Sequence, residues 1–130
     1  KTRRSRPLLS VVVPVFNEVG KIGPCLSRIR SFFGRGGRAF EVVVVDDGSS
    51  DATLSEARSA LRGFRNSRII AYRPNRGKGY AVRRGVLAAH GERILFLDAD
   101  LSTAPSEWPK LSRRLDRGAD LAIGSRKMAG

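Results

Sequence analysis

The chain has 130 residues, 41% of them hydrophobic, and its 25 Lys and Arg against 12 Asp and Glu leave a formal net charge of +13. That apolar share supports a packed core and excludes a disordered tail, and a single cysteine, Cys25, excludes an internal disulfide and a cysteine-based zinc site. Charges break every apolar run short of the roughly 20 residues of a membrane helix, and residues 1–7 form a basic tail without the apolar stretch of a signal peptide.

Residues 8–13, apolar and β-branched up to Pro14, read as a buried strand. Ile22, Cys25, Leu26, Ile29, Phe32 and Phe33 recur at helical spacing across 21–33. A Gly- and Arg-rich loop over 34–38 leads into a second strand, 40–45, and a turn at 46–50. Asp51 is placed to cap a helix reaching about residue 62. A third strand covers 68–72, followed by a loop of Gly, Pro and Asn over 73–79 and a helix over 80–90 stopped by Gly91. A fourth strand covers 93–97, a helix burying Trp108, Leu111 and Leu115 covers 105–117, and a fifth strand covers 120–123.

Apolar strands alternating with helices predict an α/β fold, a doubly wound, mostly parallel sheet covered on both faces. Ligands of such sheets bind beyond the carboxyl ends of the strands, near the switch point of the winding. Every unusual polar cluster falls at that edge. Glu18 follows the first strand, Asp46 and Asp47 the second, Arg76 and Lys78 the third, Asp98 and Asp100 the fourth, and Arg126 the fifth.

The basic excess favours anionic partners without choosing among phosphates, lipid and nucleic acid. Twenty of the 25 basic residues are Arg, and aromatics, at 7%, do not interleave with them, which argues against a single-strand stacking platform. A nucleic-acid-binding α/β module explains the charge. It leaves the clustered carboxylates unexplained, because they would repel phosphates.

Asp98 and Asp100 are two apart at a strand end, where alternate side chains point the same way. Such a pair suits Mg2+ or Mn2+, which take oxygen ligands from one or two carboxylates and substrate phosphates. Among Asp46, Asp47 and Asp51, the last is a cap, and a carboxylate of the other two suits a nucleobase N–H or a ribose hydroxyl. The run Asn75-Arg76-Gly77-Lys78-Gly79 is not a Walker sequence, yet its backbone N–H groups and two cations suit a phosphate as well as a plain turn. His90, Cys25 and Trp108 read as structural. A receiver-type signalling domain would need its paired acids after the first strand, where this chain has Pro14.

Together these residues resemble the family 2 glycosyltransferases of the GT-A fold. The matching pieces are 11–18 (Val-Val-Val-Pro-Val-Phe-Asn-Glu), 44–53 (Val-Val-Asp-Asp-Gly-Ser-Ser-Asp-Ala-Thr), Asn75 to Gly79, Asp98-Ala99-Asp100 and Gly124-Ser125-Arg126. Asn75 to Gly79 followed by Ala81-Val82-Arg83, with Asp98 to Thr103 later, is most similar to the dolichyl-phosphate glucosyltransferases and their polyprenyl-phosphate relatives. The resemblance implies a Rossmann-like nucleotide-binding half over 8–130, with the acceptor-binding region beyond Gly130 and the chain a truncated, inactive piece prone to self-association. It implies that Pro14, Phe16 and Glu18 line the nucleoside pocket, that Asp47 meets the base, and that Asn17 and Asp46 are among the residues binding the nucleotide sugar. Arg76, Lys78, Asp98 and Ala99 would face the rest of the donor. Asp98 and Asp100 would hold Mg2+ or Mn2+ on the diphosphate, and Arg126 would meet a phosphate, making Asp100 and Arg126 catalytic. Phe16 stands where many members have Tyr, and Ser102 where the phosphomannose branch often has Gln. The implied reaction is inverting transfer of a sugar from a UDP- or GDP-sugar to polyprenyl phosphate, or alternatively to a saccharide or other hydroxyl acceptor. Its implied place is the cytoplasmic, anionic inner face of a membrane, with no specific nucleic acid.

Overall fold

A computed structural model of the chain describes residues 7, 9–35, 39–99, 110, 113 and 121–124. The described strands are β1 (Leu9–Val15), β2 (Phe40–Asp46), β3 (Ser67–Ala71), β4 (Arg93–Leu97) and β5 (Leu121–Gly124), and the described helices are α1 (Ile22–Arg35), α2 (Thr53–Ala60) and α3 (Lys78–Ala88). They form one sheet in the order β3-β2-β1-β4-β5, with every pairing parallel. Of the helix expected over 105–117, only residues 110 and 113 are described, both helical.

The strands alternate between two cores because successive side chains leave a strand on opposite faces. Val11, Val13, Val42, Val44, Leu95 and Leu97 meet Ile22, Cys25, Leu26 and Ile29 of α1 and Ala57 of α2. Val12, Val43, Val45 and Phe96 meet Ala81, Val82 and Val86 of α3 on the other face. The winding therefore changes face after β3, and the next strand, β4, returns to the far side of β1. The switch point lies between β1 and β4.

β1 runs two residues past its expected end, through Pro14 to Val15. Proline is tolerated because it stands outside the β4 ladder, whose register ends at Val12 opposite Phe96. The β1–β2 register continues to Val15 opposite Asp46. At the opposite end of the sheet, buried Glu41 accepts hydrogen bonds from Ser10 Oγ and the His90 backbone N–H, both at 2.5 Å, and the Gly91 N–H donates to Ser10 Oγ at 2.8 Å. This network seals the base, and it gives His90 the structural place expected of it.

Candidate functional site

The loop leaving β1 is shaped by the loop leaving β2. Asn17 adopts a left-handed φ of 53°, a conformation Asn tolerates better than most residues. Its N–H donates to Ser49 Oγ at 2.9 Å, and its Oδ1 accepts the Ser50 N–H at 2.9 Å. The Glu18 N–H donates to Thr53 Oγ1 at 2.8 Å. Glu56 of α2 accepts the N–H groups of Gly20 and Gly23 at 2.6 and 2.7 Å, supplying partners that the first turn of α1 cannot find internally. Phe16 and Glu18 are thereby held at the mouth of β1.

Asp46 and Asp47 separate at the end of β2. Asp46 is buried and accepts the Ser49 N–H at 3.1 Å, closing a turn. It lines a second cavity, of about 400 Å3, with Asp51, Arg58, Tyr72 and Arg73. Asp47, only 3% exposed, turns toward the loop before α3. Its Oδ1 accepts the Arg76 N–H at 3.0 Å, and its Oδ2 accepts the Gly77 N–H at 2.9 Å and Asn75 Nδ2 at 2.7 Å. Asp51, expected as the cap of α2, stands one position before the actual N-cap, Ala52, and accepts hydrogen bonds from the N–H and hydroxyl of Thr53, the first residue of α2. The Thr53 hydroxyl is the main reason the Asp51 carboxyl is held below its usual value.

Pro14, Val15, Phe16, Glu18, Asp47, Asn75, Gly77, Lys78, Ala81, Asp98 and Ala99 enclose a cavity of about 340 Å3 at the switch point. Of the residues singled out from the sequence, Pro14, Phe16, Glu18, Asp47, Lys78, Asp98 and Ala99 meet there. Asn17, Asp46 and Arg76 do not line this wall: Asn17 is a strut between loops, Asp46 closes its turn, and the Arg76 guanidinium stacks over Tyr80 at 4.4 Å. The backbone N–H groups of Arg76 and Gly77, read as a phosphate cradle, are filled by Asp47 instead. Asp100 and Arg126 lie outside the described residues. Asn75 is the polar wall residue that the sequence reading passed over in favour of the neighbouring cations. Its signal was its place before Arg76-Gly77, facing a carboxylate that only the fold brings near.

Lys78 Nζ lies 2.6 Å from Asp98 Oδ1, with side chains 64% and 23% exposed. The ammonium end of the pair is open to solvent, where such a pair contributes at most about 1 kcal/mol, so Lys78 can be drawn onto a ligand cheaply. The wall offers carboxylate oxygens and one ammonium. That donor set fits a hard divalent cation shared with phosphate oxygens. Among the described residues no group of three His, Cys, Asp or Glu is placed to hold a metal alone, so Asp98 would need Asp100 and ligand oxygens beside it.

A cavity with apolar, acidic and cationic walls thus stands at the switch point of a doubly wound sheet, the place where such sheets bind their ligands. The chain belongs to glycosyl transferase family 2, whose family model matches residues 10–130. It is 40% identical to the dolichyl-phosphate beta-glucosyltransferase of Drosophila melanogaster over 91% of this chain and 40% of that one. It is 37% identical to the dodecaprenyl-phosphate galacturonate synthase of Rhizobium johnstonii over 92% of this chain and 36% of that one. The chain thus spans well under half the length of these relatives. The fold is that of the GT-A glycosyltransferases. S. aureus TarS in complex with UDP-GlcNAc superposes with a TM-score of 0.61 and 32% identity over 71% of this chain and 26% of that one. The mannosyltransferase PcManGT from Pyrobaculum calidifontis, in complex with GDP-Man and Mn2+, gives 0.59 and 29% over 74% and 28%.

Proposed function

We propose that the protein transfers a sugar, with inversion, from a UDP- or GDP-sugar to a polyprenyl phosphate, using Mg2+ or Mn2+. The observation that carries this reading is the single cavity where the ends of β1, β2 and β4 and the start of α3 present Phe16, Glu18, Asp47, Lys78 and Asp98 together. Relatives named for dolichyl and dodecaprenyl phosphate support the acceptor class. Solved relatives holding UDP-GlcNAc, GDP-Man and Mn2+ support the donor and the metal. A nucleic-acid module would have no use for this acidic wall.

In this reading Pro14 and Phe16 flank the nucleoside, Glu18, held by Asn17, offers acceptors to its N–H and O–H groups, and Asp47, following the turn that Asp46 closes, forms the wall beside it. Lys78 leaves Asp98 to meet a donor phosphate, and Arg76 adds positive charge nearby. Asp98 and Asp100 hold the metal, with Ala99 leaving room between them. When bound, the metal neutralises charge on the departing diphosphate. Arg126 stabilises a phosphate of donor or acceptor. An acceptor phosphate is already anionic and needs no general base, whereas a hydroxyl acceptor would. No described helix is long and apolar enough to cross a membrane. The proposed place is peripheral, at an anionic cytoplasmic membrane surface, where the positive charge of the chain favours contact.

The test is calorimetry with UDP and GDP, with Mn2+ and with EDTA. One nucleotide should bind only with metal, and Asp100→Ala should weaken that binding by tenfold or more, as expected for loss of a charge-assisted contact of about 1.5–3 kcal/mol. Metal-independent binding, or none, would refute the donor assignment. For the acceptor, full-length enzyme supplied with labelled UDP-glucose or GDP-mannose should place the label in an organic-extractable, acid-labile lipid. Label entering only added oligosaccharide would refute polyprenyl phosphate.

A further inference from the structure

We propose that Asp47 is a positioning residue: clasped to Asn75, Arg76 and Gly77, it builds one wall of the cavity and sets Lys78 against Asp98. This rests on the nucleotide reading of the cavity and deepens it. A carboxylate offers about four acceptor positions, and here Asn75 Nδ2, the Arg76 N–H and the Gly77 N–H occupy three of them. Asn75 Nδ2 also donates to the Asp47 backbone carbonyl at 3.1 Å. Because both partners are acceptors, the amide nitrogen of Asn75 must face Asp47, and its carbonyl oxygen is turned away from the clasp.

The turn before the loop is shaped for this contact. Gly48 has a φ of 82°, and a Cβ there would lie 2.7 Å from the Asn75 nitrogen and 3.0 Å from the Pro74 carbonyl carbon. Only a glycine lets the loop lie so close behind Asp47. Gly77, held by Asp47, immediately precedes Lys78, the first residue of α3, whose Nζ reaches Asp98 at 2.6 Å. The ends of two strands are thus tied by three links in series, β2 to the loop, the loop to α3, and α3 to the end of β4. A residue working through this chain of contacts affects every donor alike, whereas a residue reading the base alters the choice between bases.

The experiment has a ligand-free arm and a ligand arm, both on the purified protein. Amide hydrogen exchange at Arg76 and Gly77 should speed at least tenfold in Asp47→Ala and measurably in Asn75→Ala. UDP and GDP affinities should fall by the same factor, leaving their ratio unchanged. Asn75→Ala should weaken UDP and GDP binding by one shared factor, and should add nothing in the Asp47→Ala background. Unchanged exchange at Arg76 and Gly77 would overturn the proposal, as would a shifted UDP-to-GDP ratio in Asp47→Ala with Asn75→Ala silent. If Asp47→Ala does not fold, the exposed Asn75→Ala decides alone by exchange and by the unchanged ratio of UDP to GDP affinity. If the wild type binds neither nucleotide, the donor reading fails, and the exchange arm still decides the clasp.

Discussion

Tyr72 carries a hydroxyl that is shut away from water, faces the Asp47 carboxylate and has no partner within hydrogen-bonding distance. Its ring packs edge-on against Tyr80, with centroids 5.1 Å apart, and Arg84 lies over it at 5.2 Å. Burial first, and the nearby Asp47 carboxylate second, push its pKa above the ordinary phenol value. The folded state thus holds the proton more tightly than the unfolded chain. Its contribution to stability is complete below about pH 10 and is lost as pH rises from there toward the higher folded value. Tyr72→Phe removes an unpaired buried hydroxyl, so urea unfolding at pH 7 should show stability unchanged or raised by up to about 1–2 kcal/mol. The alkaline fall should flatten in the variant. A loss of stability at pH 7 would show that the hydroxyl has a partner. At this scale the sequence was legible in part. Asp46 and Asp47 were visible as a pair at a strand end, but which one faces the cavity depends on where the strand stops alternating. Asn75 was hidden because its partner lies 28 positions earlier in the chain.

The helices position the site through close backbone approach. A Cβ on Gly85 of α3 would come within 2.4 Å of Val12 Cγ1 and 3.2 Å of Val45 Cγ2. Valine is stiff at χ1, so the helix would have to lift. Gly85→Ala should therefore destabilise by about 1–3 kcal/mol and weaken nucleotide binding, because Lys78 and Ala81 move with α3. Gly79→Ala is the matched control. Nothing lies within 4 Å of its added carbon, and alanine is favoured in helices, so stability should hold or rise by about 0.5–1 kcal/mol. Equal losses in both would show that helix propensity, not sheet contact, decides. The described strands and helices were readable to within two or three residues, since β-branched runs and helical spacing are local signals. The strand order was not, because pairing β4 with β1 joins segments over 80 residues apart.

Across the whole molecule, charge is distributed unevenly in kind. The chain carries +13, yet Glu18, Asp47 and Asp98 gather at one cavity. The net charge should draw the protein to vesicles containing phosphatidylserine and not to neutral phosphatidylcholine. That binding should fall steeply from 0.05 to 0.5 M salt, as the Debye length shrinks below about 10 Å. Cosedimentation measures it, and binding that ignores salt would point to apolar insertion instead.

The ladder between β1 and β4 spans only Leu9 to Val12, and Pro14, two residues further on, has no N–H to extend it. The two strands are zipped below and parted above, like a clothes peg with its jaws at the cavity. A molecule seated in the jaws bridges tips that no backbone bond joins, so it completes the sheet as well as occupying it. Such a ligand at a hundred times its Kd would add about 2.7 kcal/mol to the folded state. Saturation with donor thus acts on the protein as a missing fastener between its two halves.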